Sequence, residues 1–355
     1  MTGLNDVAAL AGVSVSAVSR VLSNSSSARV SAATRQRILD AARELDYRPN
    51  FAARALKLAR TNVIAVVVPD LTNAIFAELM RGVDEAAREH GYTLLLARME
   101  SLDPAGETIA RLVGEGRVDG VLVQVGNSMS AEDVDAIIGG QVPAVLINSR
   151  RTGKIGTVTL PDEDGARVAV EHLVSLGHRR IGLVNGLRAT DTAQRRGAGF
   201  DAAMVSAGLS VDARHVTWLG YDSAQGKQAL ALLSALPEPP GALVVSNINA
   251  AFGLLVEARA QGIRVPDDLS VVAIHDAWTA ENSWPPLTTV RMPLNELGRA
   301  SVRAIIERIA AGTINHVVVE EEPEIVRRES TAGVRRESDG SLPRESEGIG
   351  PHLAG

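Results

Sequence analysis

Residues 4–22 read LNDVAALAGVSVSAVSRVL, and this stretch decides the fold of the first fifty residues. Leu4, Val7, Ala8 and Ala11 fall at i, i+3, i+4 and i+7, so they form one apolar stripe on a helix. Gly12 supplies the permissive backbone that a sharp turn needs. Ser14 follows as an N-cap for a second helix, its hydroxyl placed to accept from an orphan backbone N–H. On that helix Val18, Val21 and Leu22 face the first, while Val15, Ser16, Ser19 and Arg20 share the opposite side. Small side chains let such a face sit deep in a DNA major groove, where hydroxyls and a guanidinium reach base edges and phosphates. Periodicity alone fits equally a small helical hairpin with a solvated polar face.

The residues that follow complete a head. Asn24 to Arg29 is a Ser-rich loop, and Ser31 caps a third helix reaching about Leu45, with Ile38, Leu39, Ala42 and Leu45 as its buried stripe. Tyr47-Arg48-Pro49-Asn50 breaks that helix, because proline lacks the N–H and crowds the preceding residue. The next segment, Phe51 to Lys57 with Asn50 as its cap, is too short to hold a helix alone, but can order when DNA and a second copy are present. Leu56 is then a candidate wedge between base pairs in the minor groove, with packing on the head or on a partner chain as the alternative.

Charge separates this head from the rest. Up to residue 60 there are nine Arg and Lys against four Asp and Glu, a net +5, whereas the whole chain carries −6, which leaves −11 beyond. A basic head on an acidic body suits polyanion binding by the head. The 355 residues allow two or three domains. No apolar run reaches the roughly 18 residues that span a bilayer, and the N-terminus lacks a basic region followed by an apolar one, so neither membrane nor export is expected. The absence of cysteine excludes disulfides, thiolate zinc sites and cysteine nucleophiles, and agrees with a cytoplasmic protein.

From Asn62 onward the pattern alternates between β and α. Val63 to Val68 is a β-branched run of the kind buried on both faces of a parallel sheet. Helices at 75–90, 105–114 and 134–138 separate strands at 92–97, 120–124 and 144–148. The pattern then restarts, with helices at 165–176, 196–207, 224–233 and 250–260 between strands at 180–185, 215–219, 242–246 and 270–274. A last helix at 296–310 and a strand at 317–320 follow. The expectation is a small all-α helix-turn-helix head and an α/β body of two doubly wound parallel-sheet lobes. After about Ala332 the composition of Gly, Pro, Ser, Arg and Glu predicts a disordered tail.

Taken in order, the motifs resemble the LacI/GalR family of bacterial repressors over nearly the whole chain. Asp6-Val7-Ala8, Ala11-Gly12-Val13-Ser14 and Val18-Ser19-Arg20-Val21-Leu22 match its DNA-reading signature. Val30-Ser31, Thr34-Arg35 and Leu45-Asp46-Tyr47-Arg48-Pro49-Asn50 match its third helix and exit, and Ala53-Arg54-Ala55-Leu56-Lys57 its hinge helix. Further on, His172-Leu173, Leu176-Gly177-His178-Arg179-Arg180-Ile181, Pro286-Leu287-Thr288-Thr289-Val290 and Leu297-Gly298 continue the match. The resemblance implies two periplasmic-binding-protein-like lobes joined by crossovers, with the chain returning to the first lobe after Thr289. It implies domains at 1–48 (head), 49–61 (hinge helix and linker), 62–160 plus 291–320 (first, dimerising lobe), 161–290 plus 321–331 (second lobe) and 332–355 (tail). It makes Val15, Ser16, Ser19 and Arg20 the major-groove contacts, with Asn50, Ala53, Arg54 and Leu56 at the hinge. Two heads of a two-fold dimer then meet a near-palindromic operator on double-stranded DNA. A homodimer is expected, with a higher oligomer left open.

The effector cleft is less legible. Ligands of open α/β sheets lie beyond the carboxyl ends of the strands. Those ends offer Asp70, Asn73, Phe76, Gln124, Asn148 and Arg150 in the first lobe. The second offers Asp162, Arg196, Tyr221 or Trp218, Asn247, Asn249, His275 and Asp276, with ordinary strand-end polarity as the alternative for most of them. Arg196, three residues before Gly199-Phe200, stands where the resemblance places an effector-binding arginine. Relatives that bind sugars often carry Asp where this chain has Ile248 and His275. Losing two carboxylates favours a neutral or acidic non-sugar ligand, or an altered sugar pose, and a histidine there suggests a pH-sensitive response.

His172 and His178 read as helix-surface and helix-end residues rather than metal ligands. No Gly-x-Gly-x-x-Gly follows the first strand and no Gly-x-Ser-x-Gly appears, so no cofactor and no enzyme is expected. The reading is a ligand-responsive DNA-binding regulator, a repressor by resemblance. The alternatives are a two-lobed solute-binding or sensor protein with no DNA role and an α/β enzyme, for which neither a triad nor a metal set is present.

Overall fold

The computed structural model describes residues 3–22, 30–48, 55, 60–69, 73–98, 114–125, 142–150 and 155–334. The expected hinge segment, with Asn50, Ala53, Arg54 and Leu56, therefore lies outside the described residues, as do Asp70, nearly all of the helices expected at 105–114 and 134–138, and the tail from 335.

The head folds as its apolar periodicity requires. Helices α1 (Leu4–Ala11), α2 (Val15–Leu22) and α3 (Ala32–Glu44) enclose a core of Val7, Ala8, Ala11, Val18, Val21, Ile38, Ala41 and Ala42. Gly12 ends α1 with φ +61°, a conformation that costs an L-residue and not glycine. Ser14 Oγ accepts from Ala17 N at 3.3 Å, and Ser31 Oγ from Thr34 N at 3.1 Å, so both expected caps are in place.

The body contains two sheets. The first runs β11-β5-β4-β3-β1-β2, formed by β1 (Val63–Val68), β2 (Thr93–Arg98), β3 (Gly120–Gln124), β4 (Ala144–Ile147), β5 (Gly156–Thr159) and β11 (His316–Val318). The second runs β12-β10-β9-β8-β6-β7, formed by β6 (Ile181–Asn185), β7 (Val216–Trp218), β8 (Ala242–Val245), β9 (Ser270–Ile274), β10 (Thr288–Arg291) and β12 (Glu324–Val326). Every pairing is parallel except β10 with β12. Helices α4 (Ile75–Glu89) and α10 (Leu294–Ala311) cover the first sheet; α5 (Asp162–Ser175), α6 (Asp191–Ser206), α7 (Ser223–Ser234), α8 (Ile248–Ala260) and the short α9 (Trp278–Glu281) belong with the second. The chain leaves the first sheet after β5, returns after β10 to build α10 and β11, and crosses again to β12. The return expected after Thr289 is there.

Four elements escape the sequence pattern. Strands β5, β10 and β12 are three or four residues long and polar or flanked by polar residues, and α9 is a single turn. Such pieces carry no period; tertiary pairing makes them. Helices α5 and α6 also begin earlier than apolar spacing suggested, at Asp162 and Asp191. Their first turns are acidic and polar, which suits the positive end of a helix but hides from a search for apolar stripes. The consequence is functional: Arg195 and Arg196 stand one turn inside α6 rather than at its mouth.

The two histidines read as helix-surface and helix-end residues are instead buried. His172 Nε2 lies 3.0 Å from Thr331 Oγ1, and His178 Nε2 lies 3.0 Å from both Ser270 Oγ and the Ala332 carbonyl. They pin residues 331–332, and Val334 N donates to Leu176 O at 2.9 Å, so the chain up to 334 is built into the second sheet's layer rather than into a free tail. Burial, with Arg327 nearby, pushes the His172 imidazole down to about 4.

Candidate functional site

The head presents one outward face. In α2, Ala17, Val18 and Val21 turn inward, whereas Val15, Ser16 and Arg20 are exposed and Ser19 is half-buried. Val15 keeps 39 % of its surface in water. Ser14 and Ser16 hydroxyls sit 3.1 Å apart at the start of the helix. Methyl groups, hydroxyls and one guanidinium thus share the outward side of α2.

The second face is the set of strand ends between the two sheets, and its centre is a buried ionic cluster. Asp162 opens α5, directly after the chain crosses from β5. Its Oδ1 accepts from Arg196 Nε at 2.7 Å and its Oδ2 from Arg195 Nη1. All three residues are almost wholly buried. Burial by itself would raise the pKa of Asp162, but the two guanidinium groups hold it below the ordinary carboxylate value. Arg195 also donates to Asp191 Oδ2 (2.9 Å), the Leu160 carbonyl (3.0 Å) and Asn148 Oδ1 (3.3 Å). Arg196 donates to the Ser246 carbonyl and to His275 Nε2 (2.8 Å), and its guanidinium lies over the Tyr221 ring, 5.9 Å from the centroid.

His275 follows β9 with φ +73°, and Asn148 follows β4 with φ +50°. Non-glycine residues in this region are strained, and strain of this kind collects where a side chain must be aimed. A guanidinium can only donate, so His275 Nε2 is the acceptor and its ring proton sits on Nδ1. Burial, reinforced by the Arg196 charge, drives the imidazole down to about 3. The pH-sensitive response expected of this histidine is thereby corrected: the ring is neutral throughout the physiological range, because a cation there would face Arg196 in a dry site.

The lobes meet beside this cluster. Asp191 Oδ2 accepts from Arg150 N at 2.9 Å, and Thr192 Oγ1 donates to the Asn148 carbonyl at 3.0 Å. Arg150 also approaches Glu163 at 3.7 Å. Asn247 caps α8, its Oδ1 accepting from Asn249 N at 2.6 Å. Tyr221 lies over Gly186, where any Cβ would overlap the ring, and burial keeps its phenol protonated. Trp218 stacks instead under Arg188, at 4.4 Å. Gln124 ends β3, half-buried, and Asn73 Oδ1 accepts from Ile75 N at 3.3 Å at the start of α4. Phe76 is part of the main hydrophobic core.

Asp276 belongs to a different assembly. It accepts from Thr289 Oγ1 (2.7 Å) and Arg291 Nη2 (3.2 Å), and pairs with Arg328 Nη2 at 2.8 Å. Arg291 in turn binds Glu324 at 2.6 Å. Asp276 therefore ties the second and third crossovers together, one residue beyond the His275 that touches Arg196. Arg195, Asp191, Arg291 and Arg328 were not singled out in the sequence; the Asp191–Arg195 spacing of four within one helix is the single local signal that points to any of them.

Among the described residues no group of three or more metal-ligating side chains occurs, and no helix is long and apolar enough to cross a membrane.

Comparison with known proteins supports the two-part division. Residues 3–50 match the family model described as bacterial regulatory proteins, lacI family, and residues 170–331 match that of a periplasmic binding protein-like domain. The chain is 34 % identical over 337 residues to the HTH-type transcriptional regulator DegA of Bacillus subtilis, covering 93 % of this chain and 98 % of that protein. A LacI family transcriptional regulator from Mycobacterium smegmatis aligns with a TM-score of 0.72 at 40 % identity, over 76 % of this chain and 99 % of that one. The lac repressor dimer bound to operator and the anti-inducer ONPF aligns with a TM-score of 0.79 at 27 % identity, over 94 % and 99 %. With a separately cored head that exposes the polar face of α2, two crossover-linked sheets and relatives matched over nearly their whole length, this chain belongs to the LacI family of bacterial transcriptional regulators.

Proposed function

We propose that the chain is a cytoplasmic repressor that binds a near-palindromic operator as a homodimer and changes its affinity when a small molecule enters the cleft between the lobes. The observation that carries the reading is the outward face of α2: a separately cored head holds Val15, Ser16 and Arg20 exposed on a single side. Ser16 and Val15 select the operator, Ser16 by hydrogen bonding and Val15 by contact with a thymine methyl, while Arg20 and Ser19 reach guanine or phosphate. Asn50, Ala53, Arg54 and Leu56 follow from the family resemblance as hinge contacts, with Leu56 as the minor-groove wedge.

The lobes supply the response. Asn148, Arg150 and the Asp162–Arg195–Arg196 cluster join the lobes at the first crossover, and Asp276 joins the other two. A ligand that binds one lobe angle better than another shifts the population, and with it the spacing of the two heads.

Selection from random duplex DNA by the full-length chain tests the reading. The expected result is a near-palindrome whose half-site preference changes in Ser16→Ala, each altered base pair costing about 1–3 kcal/mol. Enrichment of no sequence above background would overturn it.

A further inference from the structure

The polar atoms around Arg196 are unequally used. The carboxylate, amide and carbonyl oxygens named below each already receive at least one bond from the protein. Asp162 receives Arg195 and Arg196 on its two oxygens, and the Ser246 carbonyl receives Arg196. Asn148 Oδ1 receives Leu160 N and Arg195, and Asp191 Oδ2 receives Arg150 N and Arg195. Asn185 Oδ1 receives Gly186 N and Ser246 Oγ, and Asn247 Oδ1 receives Asn249 N.

Donors are left over. A guanidinium carries five N–H groups, and two hydrogens sit on each terminal nitrogen. Nη1 of Arg196 is used towards Ser246 and Nη2 towards His275, so each keeps one N–H. His275 is 97 % buried, its Nε2 accepts from Arg196, and its Nδ1 has no partner among the described residues. Leaving a buried N–H unpaired costs about 1–3 kcal/mol. Among the described residues nothing accepts that N–H, which leaves it for water or for a bound effector.

We propose that the effector is an acceptor-rich anion, a small polyoxygenated carboxylate, whose oxygens take the Nδ1–H of His275 and the remaining N–H groups of Arg196. This rests on the regulator reading above and adds the ligand class to it. A sugar hydroxyl is a poorer match at this place. It accepts from His275 but brings a proton of its own, and the carboxylate, amide and carbonyl oxygens beside it already receive bonds from the protein, which leaves the Tyr221 hydroxyl as an acceptor without a partner among the described residues. The carboxylate group of such an acid brings acceptors only at this place, and meets the N–H of neutral His275 and those of the Arg196 cation, where charge-assisted bonds are strongest. An aspartate in place of His275 would reverse the preference, since it removes a donor and supplies two acceptor oxygens.

The test uses the full-length protein and matched probes: D-glucose against D-gluconate, and D-ribose against D-ribonate, with D-glucuronate and 2-keto-D-gluconate as further carboxylates. Thermal shift and operator anisotropy are read together. At least one carboxylate should stabilise the chain and shift operator affinity, binding more than about tenfold tighter than its sugar, the equivalent of one well-made hydrogen bond. His275→Asp should invert that order. Because that variant puts a carboxylate beside Asp162 and can fail to fold, ¹⁵N-histidine NMR of the wild type supplies a second reading, with His275→Gln assigning the resonance. The expected spectrum is a neutral ring protonated on Nδ1 from pH 5 to 8, whose Nδ1 resonance moves when the carboxylate is added. A ring protonated on Nε2, a carboxylate series without effect, or a neutral sugar that outbinds its acid would each overturn the proposal. In the last case operator binding still responds to a ligand, so the regulator reading survives. An operator selection that returns nothing would sink that reading instead, whatever the ligand screen shows.

Discussion

At the residue scale the buried charges are held by partners far away in sequence. Arg196 reads in the sequence as a cleft-lining cation, and it does lie among the strand ends; its partners are what no motif reveals. Asp162 is 34 positions away and His275 is 79 positions away in the other direction. Buried histidines carry a measurable consequence. His172 and His275 are pushed down to about 4 and about 3, and His178 is also lowered, in each case first by burial. A depressed histidine favours the neutral folded state. Its contribution is complete above the unfolded value near 6.5 and falls away as pH drops from there towards 4, where the unfolded chain takes up a proton that the folded chain refuses. The unfolding free energy of the full chain, read from urea titrations, should therefore decline between pH 7 and pH 5, by at most about 1.4 kcal/mol per pH unit for each such histidine, and the urea midpoint with it. His172→Gln should flatten that slope. A midpoint constant over this window would show these rings to be charged or solvated.

At the element scale, close approach of helices sets the architecture. A Cβ built on Gly82 of α4 would overlap the Asn295 carbonyl, and one on Gly298 of α10 would overlap the Leu79 carbonyl. The same reciprocal contact joins α7 and α8, where Gly226 meets Ala250 and Gly253 meets Ser223. Backbones in contact leave no room for a methyl group. Gly298→Ala should therefore destabilise the chain by about 1–3 kcal/mol in a denaturant titration, through displacement of α10 from α4. Gly114→Ala, surrounded by open space, is the control and should be nearly neutral. Equal effects would mean that the penalty is not one of packing. Periodicity located α4, α7 and α8 well, because each carries a full apolar stripe. It located neither β5, β10 and β12 nor the first turns of α5 and α6, because these owe their form to neighbours in space.

At the scale of the whole molecule, charge and connectivity act together. The basic head and acidic body divide the labour of meeting a polyanion, so operator binding should weaken linearly in log–log form with salt, with a slope near −0.9 for each phosphate neutralised. Anisotropy titrations between low and physiological salt measure it, and a flat response would remove the phosphate contacts from the head. The body transmits through its crossovers. Asp162 stands at the first and binds Arg196; Arg196 binds His275; and Asp276, the next residue, holds Arg291 and Arg328 at the other two. The Arg196–His275 pair is thus in covalent or hydrogen-bonded succession with all three passages between the lobes. Such a chain of contacts gives a small shift at the cleft a route to the angle between the sheets.

What the amino-acid order settled by itself was local: three amphipathic helices with their caps, the run of buried strands and helices, the reversal of charge near residue 60, and a helix face left polar. Each follows from periods of two or 3.6 residues and from side chains acting on neighbours within a turn or two. The fold in space decided the rest. It buried His172 and His178, gave Arg196 its partners Asp162 and His275, and gathered Asp276, Arg291 and Arg328 at the crossovers. Those outcomes depend on desolvation and on contacts between residues tens to hundreds of positions apart, and neither is written in any short stretch of chain.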